Sequence, residues 1–228
     1  MTISRAFTYI FEDPDWVSKI VILVILVFFG LFTSPLLIGF AVFALLFGYQ
    51  GALMRNVRQN ATPILPPWAD WGRLISDGFP VLIAYLIYML PNLLIGAFTG
   101  LTTAAAGNTS IVSGGVSLAI ACCLFPLVLG YNLVALPMFT IAQGRYAETR
   151  RFAVFFELGA LWDVFRTHFD AVATWWTGLV IALVALTVIN LIPCFGWVIG
   201  AALVYSVTGA LGGMLHAATF DKPKRKNT

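Results

Sequence analysis

Charged residues fall into four short clusters along this chain, at positions 5–19, 55–77, 145–170 and 221–226. The stretches between them, 20–54, 78–144 and 171–220, contain no Asp, Glu, Lys or Arg. A soluble domain needs charge spread over its exterior. A bilayer imposes the opposite layout, because a charge near mid-depth costs roughly 2.5–3.5 kcal/mol on insertion scales. The pattern therefore predicts an integral membrane protein with several crossings.

A helix that spans a hydrocarbon core of about 30 Å needs about 20 residues. Residues 20–54 as a single helix would run roughly 52 Å, far beyond one modest crossing. Thr33-Ser34-Pro35 interrupts them, and proline both lacks a backbone donor and disfavours the helical conformation of the residue before it. The expectation is a tight hairpin of helices near 16–32 and 36–54. In the second stretch a polar dip (Thr102 to Ser110, then Ser113-Gly114-Gly115) predicts a loop between helices at about 79–101 and 116–142. Pro126 and Pro137 should kink the latter. The third stretch breaks between Asn190 and Gly196, around Pro193, into helices at about 171–192 and 196–218.

The fold expected is thus all-α: a polytopic membrane protein with six transmembrane helices arranged as three hairpins. Each hairpin returns its charges to the same face, so all 13 Lys and Arg share one side. Under the positive-inside rule that side is the cytoplasm, with both termini inside and the chain in the cell membrane. The alternative is five crossings, with 20–54 as one tilted helix and the N-terminus outside, a placement that Glu12, Asp13 and Asp15 would tolerate.

Amphipathic segments flank the apolar ones. In 67–77, Trp68, Trp71, Leu74 and Ile75 share one helical face, with Asp70, Arg73 and Asp77 mainly on another. In 150–169, Phe155, Leu158, Leu161, Trp162, Phe165 and Phe169 recur at three- and four-residue intervals between charged positions. Both read as interfacial helices anchored by tryptophan, and 7–16 resembles a third such lead-in. The interface anchors expected are Trp16, Trp68, Trp71 and Trp162.

Composition supports one membrane domain over 1–220 followed by a basic cytoplasmic tail at 221–228. The chain is 60% hydrophobic and 10% charged, against about 25% charged in ordinary globular domains. The net charge of +3 and the short cationic tail suit anionic headgroups rather than nucleic acid. Cys122, Cys123 and Cys194 lie in apolar runs with no CxxC spacing, which reads as buried free thiols rather than a disulfide framework or a zinc site. The acidic residues ahead of the first apolar run are unlike a secretory signal.

At Phe11-Glu12-Asp13-Pro14-Asp15-Trp16 the chain resembles a prokaryotic membrane family catalogued as domain of unknown function 4013. The similarity continues at Gly48-Tyr49, Arg55 and Arg58, at Leu65-Pro66-Pro67-Trp68-Ala69-Asp70-Trp71-Gly72, and at Leu158-Gly159-Ala160-Leu161-Trp162. Pro67 and Ala69 stand where that family's acidic residues would be expected. The resemblance implies a multi-helix membrane domain and carries no activity or site residue with it.

Reactive constellations are sparse. The histidines are His168 and His216, no HExxH or P-loop is present, and neither an enzyme nor a cofactor is expected. No expected helix interior holds an ionisable residue, which argues against ion-coupled transport. The polar candidates within the membrane are Gln50, Asn92, Asn132 and Asn190, read first as hydrogen bonds between helices worth about 0.6 kcal/mol each. Glycines spaced by four (96 and 100, 196 and 200, 209 and 213) should allow close packing within the chain. Two functions fit these features, a first reading and an alternative to it. One is a non-catalytic component that organises or assembles the membrane or a membrane complex, with a membrane protein or a second copy as partner. The other is a small permease for a neutral or lipid-like solute. A dry packed core with an exposed groove would favour the first, and a wet polar cavity reaching mid-membrane the second.

Overall fold

The computed structural model describes residues 3–36, 38–105, 111–191 and 196–220. All regular structure among them is helical: α1 (Ile3–Thr8), α2 (Trp16–Thr33), α3 (Ile38–Gln59), α4 (Trp71–Ala105), α5 (Ile111–Thr149), α6 (Leu158–Thr167), α7 (Phe169–Asn190) and α8 (Gly196–Phe220). Six of these, α2, α3, α4, α5, α7 and α8, are long and apolar enough to cross a membrane. The chain is a multi-pass membrane protein by this measure. A short 3-10 turn at Ser34–Leu36 ends α2, so residues 20–54 form two helices and the five-crossing alternative falls.

Helices α3 and α8 are the most buried of the six and pack on each other, with α2, α4, α5 and α7 around them. Glycine makes the central contacts close. A Cβ at Gly209 or Gly213 would run into Leu53 or Val57 of α3. Between α3 and α4 the approach is tighter still: a Cβ at Gly48 would overlap the Leu74 carbonyl oxygen, and one at Gly78 would overlap that of Ala44. These two contacts lie four residues apart on both helices, so they mark one continuous seam. Gly96 and Gly100 behave differently from the sequence expectation. They are exposed, and nothing lies within 4 Å of where their Cβ would be.

Contacts between distant charged clusters tie several helix ends together. The Lys19 ammonium donates to the Leu65 carbonyl (3.1 Å) and pairs with Asp13 at 2.6 Å. Arg58 pairs with Glu148, Arg150 with Asp77, and Arg145 with Glu157 (3.0 Å). The Arg145 guanidinium lies 5.9 Å from the centre of the Phe220 ring. The start of α2 and α4 and the end of α3, α5 and α8 thus share one charged end of the bundle.

Several expected boundaries move. Helix α3 runs five residues past 54 and carries Arg55 and Arg58 in its last turns, because ion pairs and hydrogen bonds there hold the charges at the bundle end. The segment 67–77 is not a separate interfacial helix: from Trp71 it is continuous with α4, which contains both Pro80 and Pro91. Helix α5 likewise extends beyond 116–142 in both directions. The polar dip is helical up to Ala105 and again from Ile111; the rest of that expected loop lies outside the described residues, as do Pro193, Cys194 and the basic tail. Cys122 and Cys123 are free but exposed rather than buried. The N-terminal lead-in is drawn inside: Tyr9 is fully buried and donates to the Ser206 carbonyl at 2.9 Å. Burial holds its phenol well above the usual range, reinforced by the neighbouring Tyr49, so Tyr9 remains a neutral donor. The segment 150–169 folds as a 3-10 turn at Phe152–Phe156 followed by α6, with Leu161 and Phe165 buried and Leu158 and Trp162 facing outward.

Candidate functional site

A cavity of about 490 Å³ lies between α3, α5, α7 and α8, with Tyr85 of α4 at its edge. Its polar lining comes from helices whose apolar spacing turns one face inward. On α5, Leu136, Phe139, Thr140 and Gln143 recur at three- and four-residue intervals and all line it. Gln50 of α3 and Thr208 of α8 complete the polar wall, about 13 Å and 18 Å from the C-terminal ends of their helices, with Arg55 about 8 Å from Gln50 along α3. No charged side chain among the described residues lines the cavity.

Hydrogen bonds join these groups in a directed chain. Gln143 Nε2 donates to Gln50 Oε1 at 3.0 Å, and Gln50 Nε2 donates to Thr208 Oγ1 at 2.7 Å. The Thr208 hydroxyl in turn donates to the Val204 carbonyl. Thr140 donates to its own helix, to the Leu136 carbonyl at 2.9 Å. One buried group beside this wall has no partner among the described residues, the Trp175 indole N–H, at a cost of about 1–3 kcal/mol. Trp175 lines this cavity and also a second one near the charged ends of α3 and α8.

The cavity also opens sideways. Helices α5 and α7 are not a packed pair; the Trp176 indole donates across to the Leu133 carbonyl at 3.3 Å. Leu183 of α7 lines the cavity and is nevertheless 49% exposed on the outer surface of the bundle.

The four amides expected from the sequence do not form one site. Gln50 belongs to the cavity. Asn92 and Asn132 bond each other reciprocally, at 3.0 Å in both directions, and Asn132 also donates to the Val128 carbonyl at 2.7 Å. Beside them Tyr131 donates to the Tyr88 carbonyl (2.6 Å) and Tyr88 to the Phe155 carbonyl (2.8 Å). This is a clamp between α4 and α5, in keeping with a structural role. Asn190 is exposed at the far end of α7, beside Gly200.

The tryptophans also divide. Trp68 stacks on Tyr49 at 4.1 Å with an interplanar angle of 8°, and its Nε1 donates to the Lys19 carbonyl at 2.9 Å, so it locks α2 to α3. Trp16 packs edge-on against Phe11 at 5.0 Å. Trp71 and Trp162 are 47% and 42% exposed. His168 lies at the junction of α6 and α7, with Nδ1 3.3 Å from the Val164 carbonyl. His216 is buried within the charged end, 3.2 Å from Glu148 and 3.3 Å from Arg58.

Gln143, Thr140, Thr208 and Trp175 were not singled out from the sequence. Gln143 stands next to the Arg145 cluster, one residue beyond the expected helix end. Its spacing from Leu136, Phe139 and Thr140 is the signal that marks it.

A family model described as Protein of unknown function (DUF4013) matches residues 31–217. The chain belongs to that family. The DUF4013 match spans every helix that lines the cavity and the charged ends of α3, α4 and α5, but not Phe11-Glu12-Asp13-Pro14-Asp15-Trp16, where the resemblance was first apparent. No curated protein and no solved structure matches the chain.

Proposed function

We propose that this chain is a small permease that takes a neutral, lipid-like molecule from the bilayer into its interior. The observation that carries the reading is the cavity between α5 and α7. It falls within the usual volume range of small-molecule sites and has their usual character, an apolar wall with a few convergent polar groups. The uncharged lining disfavours an ionic solute, since no counter-charge would offset its desolvation. The exposed position of Leu183 favours entry from the lipid side. The amides and hydroxyls of Gln50, Thr140, Gln143 and Thr208 in the lining suit a hydroxyl group, which both donates and accepts. The reading involves no reaction.

The test is retention of a defined probe. The protein is placed in phosphatidylcholine nanodiscs containing diacylglycerol and released for native mass spectrometry. One diacylglycerol per chain is expected to remain bound, and Gln143→Leu should lower the retained fraction about tenfold, the equivalent of about 1.4 kcal/mol for one lost hydrogen bond. No selective retention of diacylglycerol over phosphatidylcholine, or equal retention by the variant, would refute the proposal.

We further propose that the charged end faces the cytoplasm, so that both termini lie inside the cell membrane. The gathering of cations at that end supports it. With the three native cysteines replaced by alanine, a membrane-impermeant maleimide on intact cells should label Ala104→Cys and spare Asn60→Cys and Gly159→Cys. The reverse pattern would invert the orientation.

A further inference from the structure

Outside the cavity, at the charged end, two cations pair with one carboxylate and a third lies beside them. Arg55 comes from the last turns of α3, Arg73 and Asp77 from the first turns of α4, and Arg150 from the residue after α5. Arg150 Nη1 pairs with Asp77 Oδ1, and Arg73 Nε lies 3.9 Å from Asp77 Oδ2. Arg55 lines the same cleft as Asp77 and Arg150, and its Nη1 donates to the Ala147 carbonyl at 3.3 Å. Arg150 adopts a left-handed backbone (φ 57°) with its N–H bonded to the Tyr146 carbonyl at 2.9 Å. That is a familiar way to close a helix, and it turns the chain so that the Arg150 side chain reaches back to α4.

Three guanidiniums against Asp77, with Asp70 at the start of α4 as the next carboxylate, leave the cluster net positive. Of the other nearby carboxylates, Glu148 pairs with Arg58 and His216, Glu157 pairs with Arg145, and Asp70 Oδ1 lies 3.4 Å from the Arg73 backbone nitrogen. The crowding is felt at Arg150, whose guanidinium is held below its ordinary range by burial and then by the Arg55 and Arg73 charges. An arrangement that keeps like charges together is unfavourable until an anion joins it. The cluster is reachable from outside the bundle, since the Arg73 side chain is 64% exposed and that of Arg150 35%.

We propose that Arg55, Arg73 and Arg150 form a binding site for a phosphate-type anion, with Asp77 holding two of the guanidiniums in position. Planar guanidinium groups match phosphate oxygens with paired hydrogen bonds, which a lysine cluster would not do. The anion can be the headgroup of an acidic lipid or a phosphate in solution. The site lies where headgroups would meet the bundle, at the charged ends of helices built to cross a bilayer. The proposal does not rest on the interior cavity, and its test leaves that reading untouched.

The full chain in mild detergent is heated with dioleoylphosphatidylglycerol, with dioleoylphosphatidylcholine, or with inorganic phosphate against sodium chloride of equal ionic strength. Phosphatidylglycerol at roughly a hundredfold excess over Kd should raise the melting temperature by about 5 °C relative to phosphatidylcholine. Arg55→Gln should remove most of that rise. Arg73→Gln, at an exposed position where folding is not at risk, should do the same. A rise with inorganic phosphate beyond matched salt, and none with phosphatidylglycerol, supports the same site with a soluble ligand. No rise with either, or a full rise in Arg73→Gln, would overturn it.

Discussion

Replacing Gly78 by valine is expected to remove the folded protein. The seam between α3 and α4 leaves no room for a side chain there, because a Cβ at Gly78 would overlap the carbonyl oxygen of Ala44, which belongs to the backbone of the facing helix. A flexible side chain could turn away, but a backbone carbonyl cannot move without displacing α3. That helix is among the most buried in the bundle and also carries Gln50 and its contact with α8. Overpacking a well-packed core typically costs 1–3 kcal/mol; with a rigid obstacle on the far side, a cost of about 3 kcal/mol or more is expected. Gly96→Val is the matched control. It makes the same chemical change in the same helix, at an exposed position with open space around it. Size-exclusion profiles in detergent should show a monodisperse peak for the wild type and for Gly96→Val, and aggregate or nothing for Gly78→Val. Similar profiles for the two variants would mean that the seam is not as close as the glycines indicate.

Leu183→Trp is expected to block the cavity without harming the fold. Leu183 stands at the mouth between α5 and α7, lining the cavity while half exposed at the outer surface. An indole at that position adds bulk across the opening, and its outward exposure leaves it free to adopt an unstrained rotamer. Diacylglycerol retention, measured in nanodiscs as above, should fall at least about tenfold, which corresponds to about 1.4 kcal/mol. The melting temperature should stay near that of the wild type. Leu183→Ala should retain the probe. A Leu183→Trp chain that holds as much diacylglycerol as the wild type would exclude entry between α5 and α7. The same result together with a loss in Gln143→Leu would keep the cavity and move its mouth elsewhere.

Both predictions depend on how helices meet, and here the sequence was an uneven guide. Trp68 carries the composition of an interfacial anchor, yet it stacks on Tyr49 and bonds the Lys19 backbone, so its work is to join α2 to α3. Gly96 and Gly100 have the same spacing as Gly209 and Gly213, yet a Cβ at the first pair would meet open space among the described residues, while one at the second pair would run into α3. Spacing along one helix states which residues share a face. It does not state which neighbour, if any, that face meets. The same holds for Gln50, flagged as a polar residue among apolar ones but without its partners Gln143 and Thr208, which are supplied by helices far along the chain.

What the sequence determined by itself is the class of the protein and the number of apolar helices. Both follow from one-dimensional quantities, the lengths of uncharged runs and the places where proline or polar residues interrupt them, and solvation acts on these whatever the tertiary arrangement. The tertiary structure alone decided that α3 and α8 lie at the centre, that α5 and α7 part to leave a cavity, and that Arg55, Arg73 and Arg150 gather around Asp77. Those outcomes depend on shape complementarity between helices distant in sequence, where a single glycine or carbonyl settles how closely two backbones approach.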